Sequence, residues 1–155
     1  MSVLTISAIT ADIGGYVGHS AVHPDLSDVA LQRVDAAISQ GLLIDGAVNS
    51  CGDDINLVMT HRHGVDAEPV HHFAWDTFVE LTELAKRLHL YGAGRDLPAD
   101  AFSGNVGETR PGVAEMEIFE RPSEPLIVFA ADKTSLGAWN LPLYKIFCDP
   151  FNTAG

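Results

Sequence analysis

Aspartates stand where the chain leaves apolar, β-branched stretches: Asp12 after VLTISAIT, the pair Asp53-Asp54 beside NSCG, and Asp132 after LIVFAA. If those strand ends converge at one edge of a sheet, the carboxylates repel each other unless divalent cations sit between them. Hard oxygen donors of this kind select magnesium, calcium or manganese. The local alternative is that aspartate simply serves turns by satisfying nearby backbone groups. His19 lies beyond Asp12, across Ile13-Gly14-Gly15-Tyr16-Val17-Gly18, a turn flexible enough to bring both side chains to one metal or phosphate. Its glycines match neither the Walker A nor the dinucleotide pattern, so a phosphate-cradling nest and plain turn glycines both stay open.

Lys133 directly follows Asp132, where a cation can meet a ligand phosphate or simply be solvated. Tyr91, Asn105 and the glycines near them could complete a sugar-phosphate pocket with hydroxyl, amide and backbone donors. The remaining histidines are less suggestive. His61 and His63 flank Arg62 at a strand end, and adjacent His71 and His72 point to different faces of a helix, so all four read as surface or packing residues. Cys51 and Cys148 fit no metal-type spacing and read as small core residues in a reducing, cytoplasmic setting.

The elements that must position these groups follow from periodicity. Val3 to Thr10 reads as a buried strand with Asp12 just past its end. After Pro24, apolar residues at three- and four-residue spacing predict an amphipathic helix that stops at Gly41, and Pro69 opens a longer one reaching Leu88. Leu42 to Val48 and Ile55 to Thr60 predict a hairpin around Asn49 to Asp54, and Val113 to Phe119 and Leu126 to Ala131 predict two more strands. Strand, helix, strand, strand, helix, strand, strand is an α+β order with helices packed on a sheet, close to a ferredoxin-like arrangement. The run from Tyr91 to Gly112 is dense in Gly, Asp and Pro and too long for an ordinary connector, which points to function. Trp139, Tyr144, Phe147 and Phe151 crowd the final stretch, which needs something to cover it.

With 155 residues, 46% of them hydrophobic, the chain suits one domain, residues 1–155. Asp plus Glu number 21 against 9 Lys plus Arg, a formal charge of −12 that repels phosphate backbones and anionic lipid. Nucleic-acid and membrane binding are therefore not expected, and neither an export signal nor a membrane span is visible. A polyanionic small ligand would need bound cations to neutralise both itself and the protein.

Several longer motifs, in one order, resemble the fructose-1,6-bisphosphate aldolase/phosphatase family: ADIGGYVGHS (11–20), CGDD (51–54), WDTF (75–78), YGAG (91–94), AFSGNV (101–106), PGVAEME (111–117), ADKT (131–134) and GAWNLPLYKIF followed by DPFNTAG. The resemblance implies a gluconeogenic enzyme that condenses dihydroxyacetone phosphate with glyceraldehyde 3-phosphate to fructose 1,6-bisphosphate, then hydrolyses it to fructose 6-phosphate and phosphate. It implies several Mg2+ ions held by Asp12, His19, Asp53, Asp54 and Asp132, and sugar-phosphate contacts from His19, Tyr91, Gly104, Asn105 and Lys133. It also implies a four-layer α-β-β-α sandwich assembled into a homo-octamer.

Two departures stand out. Arg95 occupies the position where the family has a metal-binding Gln, and a guanidinium has no acceptor atom with which to ligate Mg2+. The family's Schiff-base lysine region lies beyond DPFNTAG, and neither Lys86 nor Lys145 falls in that motif, so no aldol chemistry is assigned to any residue of this chain. The resemblance is therefore to the N-terminal, metal- and sugar-phosphate-binding part of a longer enzyme. The alternative is a short noncatalytic sugar-phosphate or metal-binding module, a decayed paralogue.

Overall fold

A computed structural model describes residues 2–18, 20–94, 112–121, 127–128, 144–145 and 148–151. Six elements follow one another: β1 (Val3–Asp12), α1 (Pro24–Ser39), β2 (Asp45–Cys51), β3 (Asp54–His61), α2 (Glu68–Arg87) and β4 (Gly112–Phe119). The sheet has the order β2-β3-β1-β4 with every neighbouring pair antiparallel. This is the α+β, split-βαβ arrangement expected from the element order, with two strand–helix–strand passages interleaved in one sheet.

Alternation along the strands separates two faces. Thr5, Ser7, Ile9 and Ala11 of β1 are buried beneath the helices, alongside Ile55, Leu57 and Met59 of β3. Helix α1 contributes Leu26, Ala30, Val34 and Ala37 at helical spacing, and α2 contributes Val70, Ala74, Phe78, Leu81 and Ala85. Each fully buried large side chain, such as Phe78 or Leu81, stabilises the fold by about 1.5–3 kcal/mol. Proline sits in the first turn of both helices, where its missing N–H costs nothing, and His23 caps α1 by accepting from the Asp25 N–H at 3.2 Å.

Several boundaries differ from the periodicity reading. β1 runs two residues further, so Asp12 is its last paired residue, opposite Asp54. The second strand starts at Asp45 and not Leu42. After Gly41, at φ +77, the Leu42 and Leu43 N–H groups donate back to the Ala37 carbonyl, and Leu43 is buried against the helices. The hairpin turn is correspondingly tight: Cys51 pairs with Asp54 around Gly52-Asp53, with Gly52 at φ +61 in the first turn position, a geometry that favours glycine. In the predicted strand Leu126 to Ala131, the described residues Ile127 and Val128 lie outside any strand and are 74% and 44% exposed. The expectation of an apolar strand covered on both faces fails for them. Cys51 is half-buried and Cys148 exposed, so neither is the core residue expected. In the aromatic tail Tyr144 and Phe151 are exposed, while Trp139 and Phe147 lie outside the described residues. No helix among the described residues is long and apolar enough to cross a membrane.

Candidate metal centre

The sheet register builds the site. Asp12 closes β1 directly opposite Asp54, which opens β3, and the two-residue turn before Asp54 carries Asp53. One carboxylate oxygen from each of the three lies within 4.8 Å of the others, and Asp53 is only 1% exposed. Like charges at such separations repel by roughly 3–4 kcal/mol per pair at an effective dielectric constant of 20. A divalent cation removes that penalty, and an all-carboxylate set suits Mg2+, Ca2+ or Mn2+ better than softer metals.

The backbone beyond β1 holds this arrangement together. Asp12 Oδ1 accepts from the Gly14 N–H at 3.0 Å. Gly15 and Tyr91 exchange two backbone hydrogen bonds, Gly15 N–H to Tyr91 O at 3.0 Å and Tyr91 N–H to Gly15 O at 2.9 Å. Gly14 has φ +94, and a Cβ there would meet Ala93 N at 2.7 Å and Tyr91 O at 2.9 Å. A Cβ on Gly15 would lie 2.5 Å from both Asp53 Cβ and the Ala21 carbonyl oxygen. Glycine is therefore required at both positions for the β1 end, the Asp53 turn and the Tyr91 turn to meet.

On the sheet face away from the helices, an open cavity of about 280 Å³ runs from Asp54 past Thr10 and Asn56 to Ala8, Val58 and Ala114. Of the three carboxylates, Asp54 lines this recess, whose walls are otherwise mostly apolar.

The chain's relatives give this geometry a context. The fructose-1,6-bisphosphatase family profile matches residues 3–155. The chain belongs to this family. It is 60% identical over 152 residues to the fructose-1,6-bisphosphate aldolase/phosphatase of Moorella thermoacetica, covering 98% of this chain and 39% of that relative. It is 56% identical to the proteins of the same name from Thermococcus kodakarensis and Pyrobaculum neutrophilum, covering 40% and 38% of them. The chain thus spans about two fifths of the length of the curated relatives it matches.

Of the predicted site residues, the structure brings Asp12, Asp53 and Asp54 together and joins the Tyr91 backbone to Gly15 beside them. His19, Gly104, Asn105, Asp132 and Lys133 lie outside the described residues, as does Arg95. The Tyr16 N–H donates to the Ala21 carbonyl at 3.0 Å and so closes the base of the loop that carries His19.

A second polar cluster, on the helix-covered face, has no signal in the spacing of its residues. Glu115 Oε1 accepts from Ser7 Oγ at 2.5 Å and pairs with His71 Nε2 at 3.0 Å, while its Oε2 accepts from the Asp66 N–H at 2.7 Å. Ser7 Oγ also bonds His61 Nε2 at 2.8 Å. The His63 N–H donates to His61 Nδ1 at 3.3 Å, which assigns the proton of His61 to Nε2. Nε2 then donates to Ser7, and Ser7 donates to Glu115. A serine whose histidine donates to it gains no general base, so this Ser-His-Glu set is structural and not a nucleophile.

Burial lowers the His61 pKa, reinforced by His63, against an opposing pull from Glu115. Burial pushes the Glu115 carboxyl up, but the bonds from Ser7, the Asp66 N–H and His71 outweigh it and hold it below the usual carboxylate value. The packing role expected for His61 holds, since it is fully buried, and His71 and His72 do diverge, toward Glu115 and Glu68.

Proposed function

We propose that the chain carries the divalent-metal and sugar-phosphate-binding portion of a fructose-1,6-bisphosphate aldolase/phosphatase. In this reading the whole enzyme condenses dihydroxyacetone phosphate with glyceraldehyde 3-phosphate to fructose 1,6-bisphosphate and hydrolyses it to fructose 6-phosphate and phosphate, a gluconeogenic sequence in the cytoplasm. The observation that carries the reading is the convergence of Asp12, Asp53 and Asp54 at one strand end, in a chain that aligns along 98% of its length with relatives bearing that name.

Mg2+ is the cation of choice, because it binds carboxylates and phosphate oxygens together while retaining water. When bound, it neutralises phosphate charge and lowers the pKa of coordinated water. Asp12, Asp53 and Asp54 would hold it, joined in the sequence-based assignment by His19 and Asp132. Tyr91, Gly104, Asn105 and Lys133 would orient the sugar phosphate. The buried, glycine-packed seat of Asp53 fixes that carboxylate before ligand arrives, which limits the ordering cost of binding. Assembly into a homo-octamer belongs to the same reading.

Isothermal calorimetry tests it. Asp53→Asn should weaken Mg2+ binding at least about tenfold while circular dichroism stays unchanged, since the amide keeps the shape but loses the charge. Equal Mg2+ affinity for the two proteins would refute the assignment. Phosphate release from fructose 1,6-bisphosphate then separates an enzyme from a binding module: Mg2+ and sugar-phosphate binding without hydrolysis by the complete natural polypeptide would favour the module.

A further inference from the structure

On the helix-covered side of the sheet, the Asp66 N–H donates to Glu115 Oε2 at 2.7 Å, and this bond draws a second carboxylate alongside the first. One oxygen from Asp66, one from Glu115 and a ring nitrogen of His71 lie within 4.8 Å of one another. The nitrogen that faces Glu115 is His71 Nε2, 3.0 Å from Oε1. The Glu115 side chain is 6% exposed and that of His71 15%, so neither is dispersed in solvent. Among the described residues no lysine or arginine pairs with either carboxylate. Two acids with one imidazole between them keep at least one negative charge uncompensated, whether or not the imidazole is protonated.

The donor set restricts what balances that charge. An imidazole nitrogen beside two carboxylate oxygens suits Zn2+, Co2+ or Mn2+, whereas Mg2+ takes oxygen donors and suits the Asp12 group better. Groups 3.0 Å apart are spaced as neighbours on one ion, whose bonds run about 2.0–2.2 Å. Ligation requires Nε2 without its proton, so the ring then carries its hydrogen on Nδ1. Ser7 Oγ, on Glu115 Oε1 at 2.5 Å, orients that carboxylate in the way outer partners of metal ligands do.

We infer that Asp66, His71 and Glu115 form a second metal site, for a transition metal of the Zn2+ class. The ion clips the loop before α2, and α2 itself, to the edge strand β4. Asp66 and Glu115 are 49 residues apart, so an ion held by both binds the folded chain and stabilises it. The site shares no residue with the Asp12 group and stands apart from the function proposed above.

Zn2+ titrated into the complete natural polypeptide, with Mg2+ in large excess, tests it by calorimetry and by melting. Wild type should bind Zn2+ and melt several degrees higher when free Zn2+ is about 100 times its Kd. Asp66→Asn is the informative variant, because asparagine tolerates the left-handed backbone at φ +54 and keeps the N–H bonded to Glu115. It should melt as wild type does without Zn2+ and bind Zn2+ at least about tenfold more weakly, since even outer partners of a ligand are worth that much. His71→Gln should bind as weakly, and Asp53→Asn should bind as wild type does. Wild-type Zn2+ affinity in both Asp66→Asn and His71→Gln would overturn the site. So would Zn2+ binding that vanishes in Mg2+ excess or in Asp53→Asn, which would place the ion at the Asp12 group, or no Zn2+ binding by wild type at all. None of these failures touches the Asp12 centre, whose own test is Mg2+ alone.

Discussion

Replacing Glu115 with glutamine should cost the fold about 2–4 kcal/mol, out of proportion to a change of one atom. The carboxylate is 6% exposed and takes three donors: Ser7 Oγ and His71 Nε2 on one oxygen, and the Asp66 N–H on the other. A glutamine must turn its NH2 toward one of these two groups. Facing Asp66, it sets donor against donor and loses one charge-assisted bond. Facing Ser7 and His71, it loses two. Either choice strands at least one donor in a part-buried site, at about 1–3 kcal/mol each, and weakens the bonds that remain by removing the charge. Urea unfolding at neutral pH followed by circular dichroism measures the difference. A loss within about 0.5 kcal/mol, the range of an ordinary surface substitution, would refute the network as drawn.

The same groups set the response to pH. His61 and Glu115 both titrate below their usual values in the folded state, so at intermediate pH the unfolded chain binds more protons. Stability should therefore fall as pH drops, the His61 part starting near its ordinary value of about 6.5 and the Glu115 part near about 4.5. Glu115→Gln should flatten the second part, and a pH profile matching wild type would contradict the assignment. Gly15→Ala should weaken Mg2+ binding by pushing on Asp53, whereas Gly41→Ala, strained by φ but with nothing within 4 Å, should lower only the melting temperature. Equal Mg2+ affinity in the two variants would remove Gly15 from the site. Arg95→Gln should tighten Mg2+ binding in calorimetry by replacing a fixed cation with an acceptor, and an unchanged affinity would show that Arg95 leaves the centre untouched.

What could be read from the residues in advance was whatever depends on neighbours in the chain. The apolar stripes of α1 and α2, the β-branched run of β1 and the glycine of the CGDD turn each carry their own local instruction. The CGDD hairpin makes Asp53 and Asp54 neighbours from sequence alone, but their meeting with Asp12 comes from the non-local β1–β3 pairing, so the sequence offered it only as strand-end aspartates that could converge and as what the family resemblance implies. Leu42 and Leu43 misled because an apolar pair can close a helix end as readily as start a strand. Ser7 and Glu115 are separated by 108 residues and His61 and Ser7 by 54, so only the register of three strands reveals that they touch.

That register also keeps the two polar regions apart. Ser7 lies on the helix-covered face of β1 and Asp12 on the other face, five residues on, or roughly 17 Å at about 3.3 Å per residue. No residue is shared between the Ser7–His61–Glu115–His71 bonds and the Asp12–Asp53–Asp54 group. Sites so separated should contribute additively, within about 0.3–0.5 kcal/mol. Glu115→Gln should therefore lower stability without changing Mg2+ affinity, and Asp53→Asn should lower Mg2+ affinity while leaving metal-free stability equal or slightly higher, since a like charge is removed. The double variant should show the sum of both effects. A coupling above about 1 kcal/mol would mean that β1 transmits strain between its faces and that the helix-side network helps to set the carboxylate geometry.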